Sequence, residues 1–329
     1  MNFFGTRDSG LGTRRSPKSR KGVIGAVLLL LGLPVVLALV EAVSFYVLNR
    51  SNGSLVSSGV EREYLLYVPG SYDRTRPTPL VITMHGGALW PAAQREISQW
   101  NRVADEHGFI AVYPSGVSGR GPRVWRAGSG PGQARDVRFI SELIDTLAAH
   151  YNIDATRVYA NGLSNGGGMA FVLSCTLSHR IAAIGVVATA IFLPWNACTD
   201  LRPVPMIAFH GTADPATPYH GGRTWAAPER FPSIPSWVAT WARRNRCALS
   251  PVDSAVATDV SRRSYTNCAG DAVVVLYTIE GGGHTWPGGK PMPEWFVGTT
   301  SNSIDASSQM WAFFREHRLR EAQTAAPHK

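Results

Sequence analysis

The sequence predicts an α/β fold in which a mostly parallel central sheet carries helices on both faces. Short apolar runs such as Leu80–Met84 (LVITM) and Phe109–Tyr113 (FIAVY) are typical of buried strands. Between runs of this kind, Arg135–Tyr151 carries apolar residues at the spacing of one helical face. Because strands that alternate with helices form parallel sheets, we expect ligands to bind at the carboxyl ends of the strands.

The same periodicity predicts the individual elements in chain order. The predicted strands are Glu63–Val68, Leu80–Met84, Phe109–Tyr113, Val158–Ala160, Ile184–Ala188, Pro205–His210 and Ala272–Thr278. The predicted helices are Ile97–His107, Arg135–Tyr151, Gly167–Leu177 and Ile304–Leu319. Two segments rich in Gly, Pro, Arg and Trp, 117–132 and 219–235, are predicted as long surface loops.

The chain has 329 residues and a formal net charge of +9, but the charge is unevenly distributed. Six basic residues and one aspartate precede residue 22, so this leader carries roughly half of the net charge. The basicity therefore indicates membrane topology, and no nucleic-acid partner is expected.

Segment 22–48 is predicted to be a transmembrane anchor or a signal segment, since Val23–Val40 carries no charge. Roughly 20 apolar residues span the hydrocarbon core of a bilayer. The long basic leader 1–21, predicted to be cytoplasmic, favours an anchor, whereas cleavage near Ala42 is the alternative. The rest of the chain would then lie outside the cytoplasm, held at the cell membrane or secreted. It divides into a linker at 49–59, one domain at 60–320 and a flexible tail at 321–329.

Four cysteines lie in this exported part, and none has the close spacing of a metal or redox motif. An even number of cysteines outside the cytosol favours disulfides. Proximity in sequence suggests Cys175 with Cys198 and Cys247 with Cys268, although three pairings are open.

The stretch Gly162–Gly166 (GLSNG) is a candidate site for a reactive residue. A strand pattern ends just before it and a helix pattern begins just after it, as in a nucleophile elbow around Ser164. Glycines beside the serine allow a sharp turn that exposes the hydroxyl. The alternative, a glycine-rich turn without chemistry, does not require that strand and helix.

A serine nucleophile needs a general base and an acid that orients it. His284 lies in the glycine-rich stretch EGGGHTWPGG directly after a predicted strand, which favours it as the base. His85 and His210 also follow strands, but we expect them to hydrogen-bond neighbouring loops. Asp214 follows another strand in HGTADP, and the chain order Ser, Asp, His is that of folds with this elbow.

Backbone N–H groups are the expected donors to a developing oxyanion. One would come from Asn165, the residue after the nucleophile. The other would come from Gly87, in the glycine-containing loop that follows strand Leu80–Met84.

Four motifs, GLSNGG, HGTADP, YPSG and EGGGHTWPG, together resemble the bacterial polyhydroxybutyrate depolymerase/feruloyl esterase-like (LpqC-type) family of α/β-hydrolases. The resemblance extends over about residues 60–320. It implies an α/β-hydrolase fold and a serine carboxylesterase that needs no cofactor or metal. It also implies a catalytic triad of Ser164, Asp214 and His284. The oxyanion hole would be formed by Gly87 and Asn165. The disulfides would join Cys175 to Cys198 and Cys247 to Cys268.

Two departures from the family bear on the substrate. Depolymerases of this kind often carry Cys where this chain has Gly87. Relatives tend to show a pair of aspartates where this chain has Arg135-Asp136. We therefore expect hydroxyalkanoate oligomers, feruloyl esters or other small acyl esters instead of insoluble polyester. Tryptophans in loops are candidates to line an acyl pocket, with Trp286 the best placed: Trp90, Trp125, Trp195, Trp286 and Trp295. The alternatives are a peptidase or acyltransferase with the same triad, or a catalytically silent binding protein.

Overall fold

The structure is a computed structural model that describes residues 51–117, 123–128, 131–190, 198, 202–225 and 227–320. The predicted leader, the anchor or signal segment and the tail 321–329 lie outside these residues. Within the described ranges, no helix combines the length and the apolar character that a membrane span requires.

The main sheet contains ten strands. In chain order, the described strands are β1 (Gly53–Ser57), β2 (Val60–Tyr67), β3 (Thr78–Met84), β4 (Ile110–Pro114), β5 (Ile153–Leu163), β6 (Ala183–Val187), β7 (Met206–Gly211), β8 (Gly222–Thr224), β9 (Ala227–Phe231), β10 (Val252–Ala257), β11 (Val260–Tyr265) and β12 (Val274–Ile279). The order across the main sheet is β1-β2-β4-β3-β5-β6-β7-β12-β11-β10, and β8 pairs with β9 in a separate hairpin. The six central strands, β4 to β12 in this order, are parallel, and an antiparallel pair extends each side.

Helices cover both faces of this sheet. They are α1 (Pro91–Ser98), α2 (Trp100–His107), α3 (Pro131–His150), α4 (Asn165–Thr176), α5 (Ile234–Arg244), α6 (Glu294–Val297) and α7 (Ala306–Phe314). Buried residues of α3, α4 and α5 form one core layer, whereas those of α1, α2 and α7 form the other. This arrangement confirms the predicted mostly parallel sheet with helices on both faces, because every central strand is buried between two apolar layers.

Several segments differ from the sequence predictions: helix α5 was not predicted, and the hairpin of β8 and β9 lies within the predicted loop 219–235. The predicted linker 49–59 contains β1, which pairs with β2 at the edge of the sheet. Strands β10 and β11 were not predicted, because neither contains a long apolar run: the edge strand β10 is mostly exposed, and β11 (VSRRSY) is largely polar. The predicted helix Ile97–His107 is divided between α1 and α2 by Gln99, whose φ is 53°. A left-handed residue cannot continue an α-helix, so the chain changes direction there.

Both disulfides that proximity in sequence suggested are present. Cys175 pairs with Cys198, and Cys247 pairs with Cys268. The first ties the end of α4 to the segment before β7, and the second ties the end of α5 to the segment before β12. Both therefore stabilise connections on the side of the sheet that α4 and α5 cover.

Candidate active site

Ser164 lies between β5 and α4 in a strained conformation. Strand β5 ends at Leu163 and α4 begins at Asn165, so one residue makes the whole turn. Its φ and ψ are 52° and −118°, which non-glycine residues rarely adopt. The Ser164 N–H donates to Val187 O on β6 at 2.8 Å, which fixes the turn against the neighbouring strand. This is the strand-turn-helix geometry expected of a nucleophile elbow.

The glycines beside Ser164 are required by close packing. A Cβ on Gly162 would lie 2.6 Å from the carbonyl oxygen of Gly166. A Cβ on Gly166 would collide with Met84 O and lie 2.6 Å from His85 O, both at the end of β3. The elbow can therefore approach the loop after β3 only because these two positions carry no side chain.

Asp214 and His284 are in direct contact. His284 Nδ1 lies 2.8 Å from Asp214 Oδ2 and 3.0 Å from Oδ1, and both residues are buried. Asp214 Oδ1 also accepts the N–H groups of Ala216 and Thr217, at 2.8 and 2.7 Å. These bonds fix the carboxylate in a tight turn after β7. With Nδ1 donating to the carboxylate, His284 has its Nε2 free to accept a proton.

His210 is a second histidine on the same carboxylate. Its Nε2 lies 2.8 Å from Thr217 O and 3.3 Å from Asp214 Oδ2. Burial by itself would raise the pKa of the Asp214 carboxyl, but hydrogen bonds from His210 and His284, together with their charges, outweigh burial. The pKa of Asp214 is therefore held well below its usual range. The sequence predicted that His210 would bond a neighbouring loop, and did not predict its contact with Asp214.

His85 has both ring nitrogens engaged. Nδ1 lies 2.7 Å from Gly86 O, to which it can only donate, and Nε2 accepts the N–H of Gly116 at 2.9 Å. Burial lowers the pKa of His85 to about 4, which keeps the ring neutral. The structure thus confirms the expectation that His85 bonds neighbouring loops.

The loop after β3 approaches the beginning of α4. A Cβ on Gly87 would lie 3.7 Å from the Asn165 Cβ. The first N–H groups of a helix have no partner within the helix, so the Asn165 N–H points out of the end of α4. Ala88 donates its own N–H to Arg123 O at 2.9 Å. Gly87 and Asn165 are therefore brought together, as predicted from the sequence.

The three strands that precede Ser164, Asp214 and His284 end within two residues of the same level of the sheet. Leu163 on β5 is in register, through β6, with Phe209 on β7, and Phe209 is paired with Tyr277 on β12. Within the described residues, the Ser164 hydroxyl makes no hydrogen bond. The loop that carries His284 runs on to α1, where the Lys290 N–H donates to Ile97 O at 3.1 Å. Ser164 and the Asp214–His284 pair thus occupy the same edge of the sheet.

The comparisons with known proteins agree with this fold and these motifs. Residues 62–213 match the family model described as Esterase PHB depolymerase. The chain is 30% identical over 236 residues to feruloyl esterase B of Piromyces equi, covering 70% of this chain and 44% of that protein. It is 29% identical over 275 residues to the putative esterase NocK of Nocardia uniformis subsp. tsuyamanensis, covering 77% and 79%. These similarities support a polyhydroxybutyrate depolymerase/feruloyl esterase-like family for this chain.

A solved structure supports the same fold. The acetyl xylan esterase of Aspergillus awamori superposes with a TM-score of 0.56 at 17% identity, covering 77% of this chain and 94% of that one. At this identity the similarity concerns the fold, which is that of an α/β-hydrolase. The chain spans less than half the length of the Piromyces feruloyl esterase.

Two of the tryptophans predicted to bind substrate lie in the core, which corrects that prediction. Trp286 is 1% exposed and donates its Nε1–H to Ser307 Oγ at 3.1 Å. Trp125 is 2% exposed and its ring packs 5.5 Å from that of His85. Loops rich in glycine fold back on the domain here, so a tryptophan within them fills the interior. Trp90 is half-buried at the start of α1. Trp195 lies outside the described residues.

Two further features near this edge of the sheet were not predicted from the sequence. The side chain of Asn165 accepts the Trp125 N–H at 2.6 Å and donates to Trp125 O at 3.0 Å, a role that no sequence signal indicated. Exposed aromatic side chains also lie beside the candidate site, and only one of them, Trp295, was noted in the sequence. Within the described ranges, no cluster of His, Cys, Asp and Glu has the composition of a metal site.

Proposed function

We propose that this chain is a serine carboxylesterase in which Ser164 is the nucleophile, His284 the general base and Asp214 the orienting acid. The observation that carries the proposal is the hydrogen bond between His284 Nδ1 and Asp214, at the sheet edge where Ser164 makes its strained turn. The family and its esterase relatives support ester hydrolysis as the chemistry.

The reaction would proceed through an acyl-enzyme. Ser164 Oγ attacks the ester carbonyl carbon while its proton passes to His284 Nε2. The same nitrogen then gives that proton to the departing alcohol oxygen, and the C–O bond breaks. Water activated by His284 subsequently releases the acid and restores Ser164. Hydrogen bonds between nucleophile and base are often long in the free enzyme and shorten once substrate is bound.

Two features of the site support this mechanism. The low pKa of Asp214 keeps it a carboxylate, which orients His284 and stabilises the imidazolium that forms. Gly87, which packs against Asn165, and Asn165 itself would supply the backbone N–H groups of an oxyanion hole, and the N-terminus of α4 would add partial positive charge. Together these donors would stabilise the negative charge on the carbonyl oxygen.

The substrate class we propose is small acyl esters, including feruloyl esters and hydroxyalkanoate oligomers. The relatives that carry this suggestion are described as feruloyl esterases and as a bifunctional acetylxylan esterase/xylanase. We also propose that the enzyme works outside the cytoplasm, which the two disulfides support.

The test is hydrolysis of p-nitrophenyl acetate and butyrate, together with labelling by a serine-reactive phosphonate. Ser164→Ala should lower kcat on the order of a million-fold and abolish labelling. Ser174→Ala is the matched control, because it removes a serine hydroxyl of α4, the helix that follows Ser164, and this hydroxyl donates to Phe171 O at 2.6 Å. Retention of most activity or labelling in a folded Ser164→Ala protein would reject the proposal.

A further inference from the structure

Three aromatic side chains form an exposed cluster, which we call the aromatic patch: Trp225, Trp295 and Phe296. Their exposed fractions are 67%, 88% and 48%. The Trp225 and Phe296 rings have centroids 5.2 Å apart, and those of Trp295 and Phe296 are 5.6 Å apart. Among the described residues, no other Trp, Tyr or Phe side chain is exposed to this degree, so three adjacent exposed rings are a candidate recognition surface.

Residues next to the aromatic patch are hydrogen-bonded to the segments that carry Asp214 and His284. On one side, Phe296 precedes Val297, whose carbonyl oxygen accepts the His284 N–H at 2.6 Å. On the other side, Trp225 follows Thr224, whose hydroxyl donates to Ala216 O at 2.8 Å. The Ala216 N–H in turn donates to Asp214 Oδ1. The contact between the Trp225 and Phe296 rings thus links the loop of the acid to the loop of the base.

This position determines which half of an ester would meet the patch. In the mechanism proposed above, His284 must reach the oxygen of the departing alcohol to protonate it. The carbonyl oxygen of the ester, in contrast, would accept hydrogen bonds from the N–H groups of Gly87 and Asn165. Groups attached to the alcohol oxygen therefore lie on the histidine side of the site.

We propose that Trp225, Trp295 and Phe296 form a subsite for the alcohol half of the substrate, and that it selects alcohols carrying an aromatic ring. This inference rests on the proposed esterase function. Indole and phenyl faces bind other aromatic rings in offset or tilted arrangements.

The polar groups around the patch favour an aromatic ring over a sugar ring. A sugar would need hydrogen-bonding partners for its hydroxyls as well as a ring face. The neighbouring hydroxyls are already engaged within the chain: Thr224 bonds Ala216 O, Thr299 bonds Glu294 Oε1 at 2.6 Å, and Thr285 bonds Thr299 O at 3.2 Å. With their donors used, these hydroxyls can only accept hydrogen bonds, so the patch offers ring faces but few free donors for a sugar.

The experiment compares kcat/KM for benzyl acetate, methyl phenylacetate and ethyl acetate, which carry a ring on the alcohol, on the acyl group, or on neither. In Trp225→Leu and Trp295→Leu, we expect the ratio of benzyl acetate to ethyl acetate to fall about tenfold, mostly through KM. Trp295→Tyr keeps a ring and should retain most of the ratio. Leu249→Ala is the control, since Leu249 is 79% exposed outside the patch.

Several results would overturn the subsite. They are an unchanged ratio in both leucine variants, a loss confined to methyl phenylacetate, or a larger loss on a glucosyl acetate than on benzyl acetate. Each leaves the proposed function standing as long as wild type hydrolyses ethyl acetate and Ser164→Ala does not. Failure of Ser164→Ala to lose activity would instead remove the esterase mechanism on which the subsite rests.

Discussion

Asn165 binds the backbone of Trp125 through both ends of its amide: Oδ1 accepts the Trp125 N–H at 2.6 Å, and Nδ2 donates to Trp125 O at 3.0 Å. The segment that contains Trp125 also holds the loop after β3, because Arg123 O accepts the Ala88 N–H. One side chain therefore ties the beginning of α4 to the loop that carries Gly87. The two proposed oxyanion donors, Gly87 and Asn165, are therefore both held by the segment that contains Arg123 and Trp125.

Asn165→Ala is expected to lower kcat on p-nitrophenyl acetate about tenfold to a hundredfold, although the backbone N–H of residue 165 remains. The loss should approach that of one oxyanion donor, because the loop carrying Gly87 is no longer fixed. Asn152→Ala is the matched control, since the Asn152 amide bonds the carbonyl oxygen of Arg74 far from the site, at 3.0 Å. Wild-type kcat in Asn165→Ala would contradict the positioning role.

Gly166→Ala should destabilise the domain by about 1–3 kcal/mol, because its Cβ would collide with the backbone at the end of β3. Chemical denaturation followed by fluorescence measures the free energy of unfolding. At Gly70 an added Cβ meets no atom within 4 Å, so Gly70→Ala should change that energy by less than about 0.5 kcal/mol. Equal effects of the two substitutions would show that the close approach is not needed.

Asp214→Asn should lower kcat on the order of ten-thousandfold with little change in KM, because an amide cannot hold His284 in the orientation that leaves Nε2 free. Asp154→Asn is the control, because it tests whether replacing any carboxylate that accepts a backbone N–H lowers kcat to the same extent. Asp154 likewise accepts a backbone N–H two residues on, from Thr156 at 2.9 Å, but lies at the other end of β5. Similar losses of kcat in the two variants would argue against a specific role for Asp214.

The free energy of unfolding should fall as the pH is lowered from about 6.5 to 4. The pKa of His85 is about 4 in the folded protein, below the ordinary histidine pKa of about 6.5, so the unfolded chain binds the proton first. The stability due to neutral His85 is complete above pH 6.5 and lost as the pH falls towards 4, a change of about 3 kcal/mol. His85→Gln should reduce this pH dependence in urea titrations. An identical slope for wild type and variant would exclude His85 as its source.

Much of the candidate site could be predicted because it depends on local patterns. Ser164 lies between a strand pattern and a helix pattern, while Asp214 and His284 each follow an apolar strand. Residues at the carboxyl ends of parallel strands reach the same edge of the sheet, so the positions of Asp214 and His284 after predicted strands suggested that they meet. Their catalytic roles stay predictions.

Burial of the loop residues could not be predicted in the same way. Trp286 follows His284 in a glycine-rich loop and was expected to face substrate, yet it lies in the core. The loop folds back because Gly289 packs against Ile97 O, a contact between residues far apart in sequence. Nothing in the local sequence distinguishes a tryptophan in such a loop from an exposed one such as Trp295.

The sequence by itself determined the alternation of strands and helices, the turn around Ser164 and the chain order of the three candidate catalytic residues, because these follow from local hydrophobic periodicity and glycine placement. The tertiary structure decided the contact of His210 with Asp214, the link between Asn165 and Trp125, and which aromatic side chains remain exposed. Those features depend on distances between segments that are remote along the chain, and such distances are set only when the two core layers pack against the sheet.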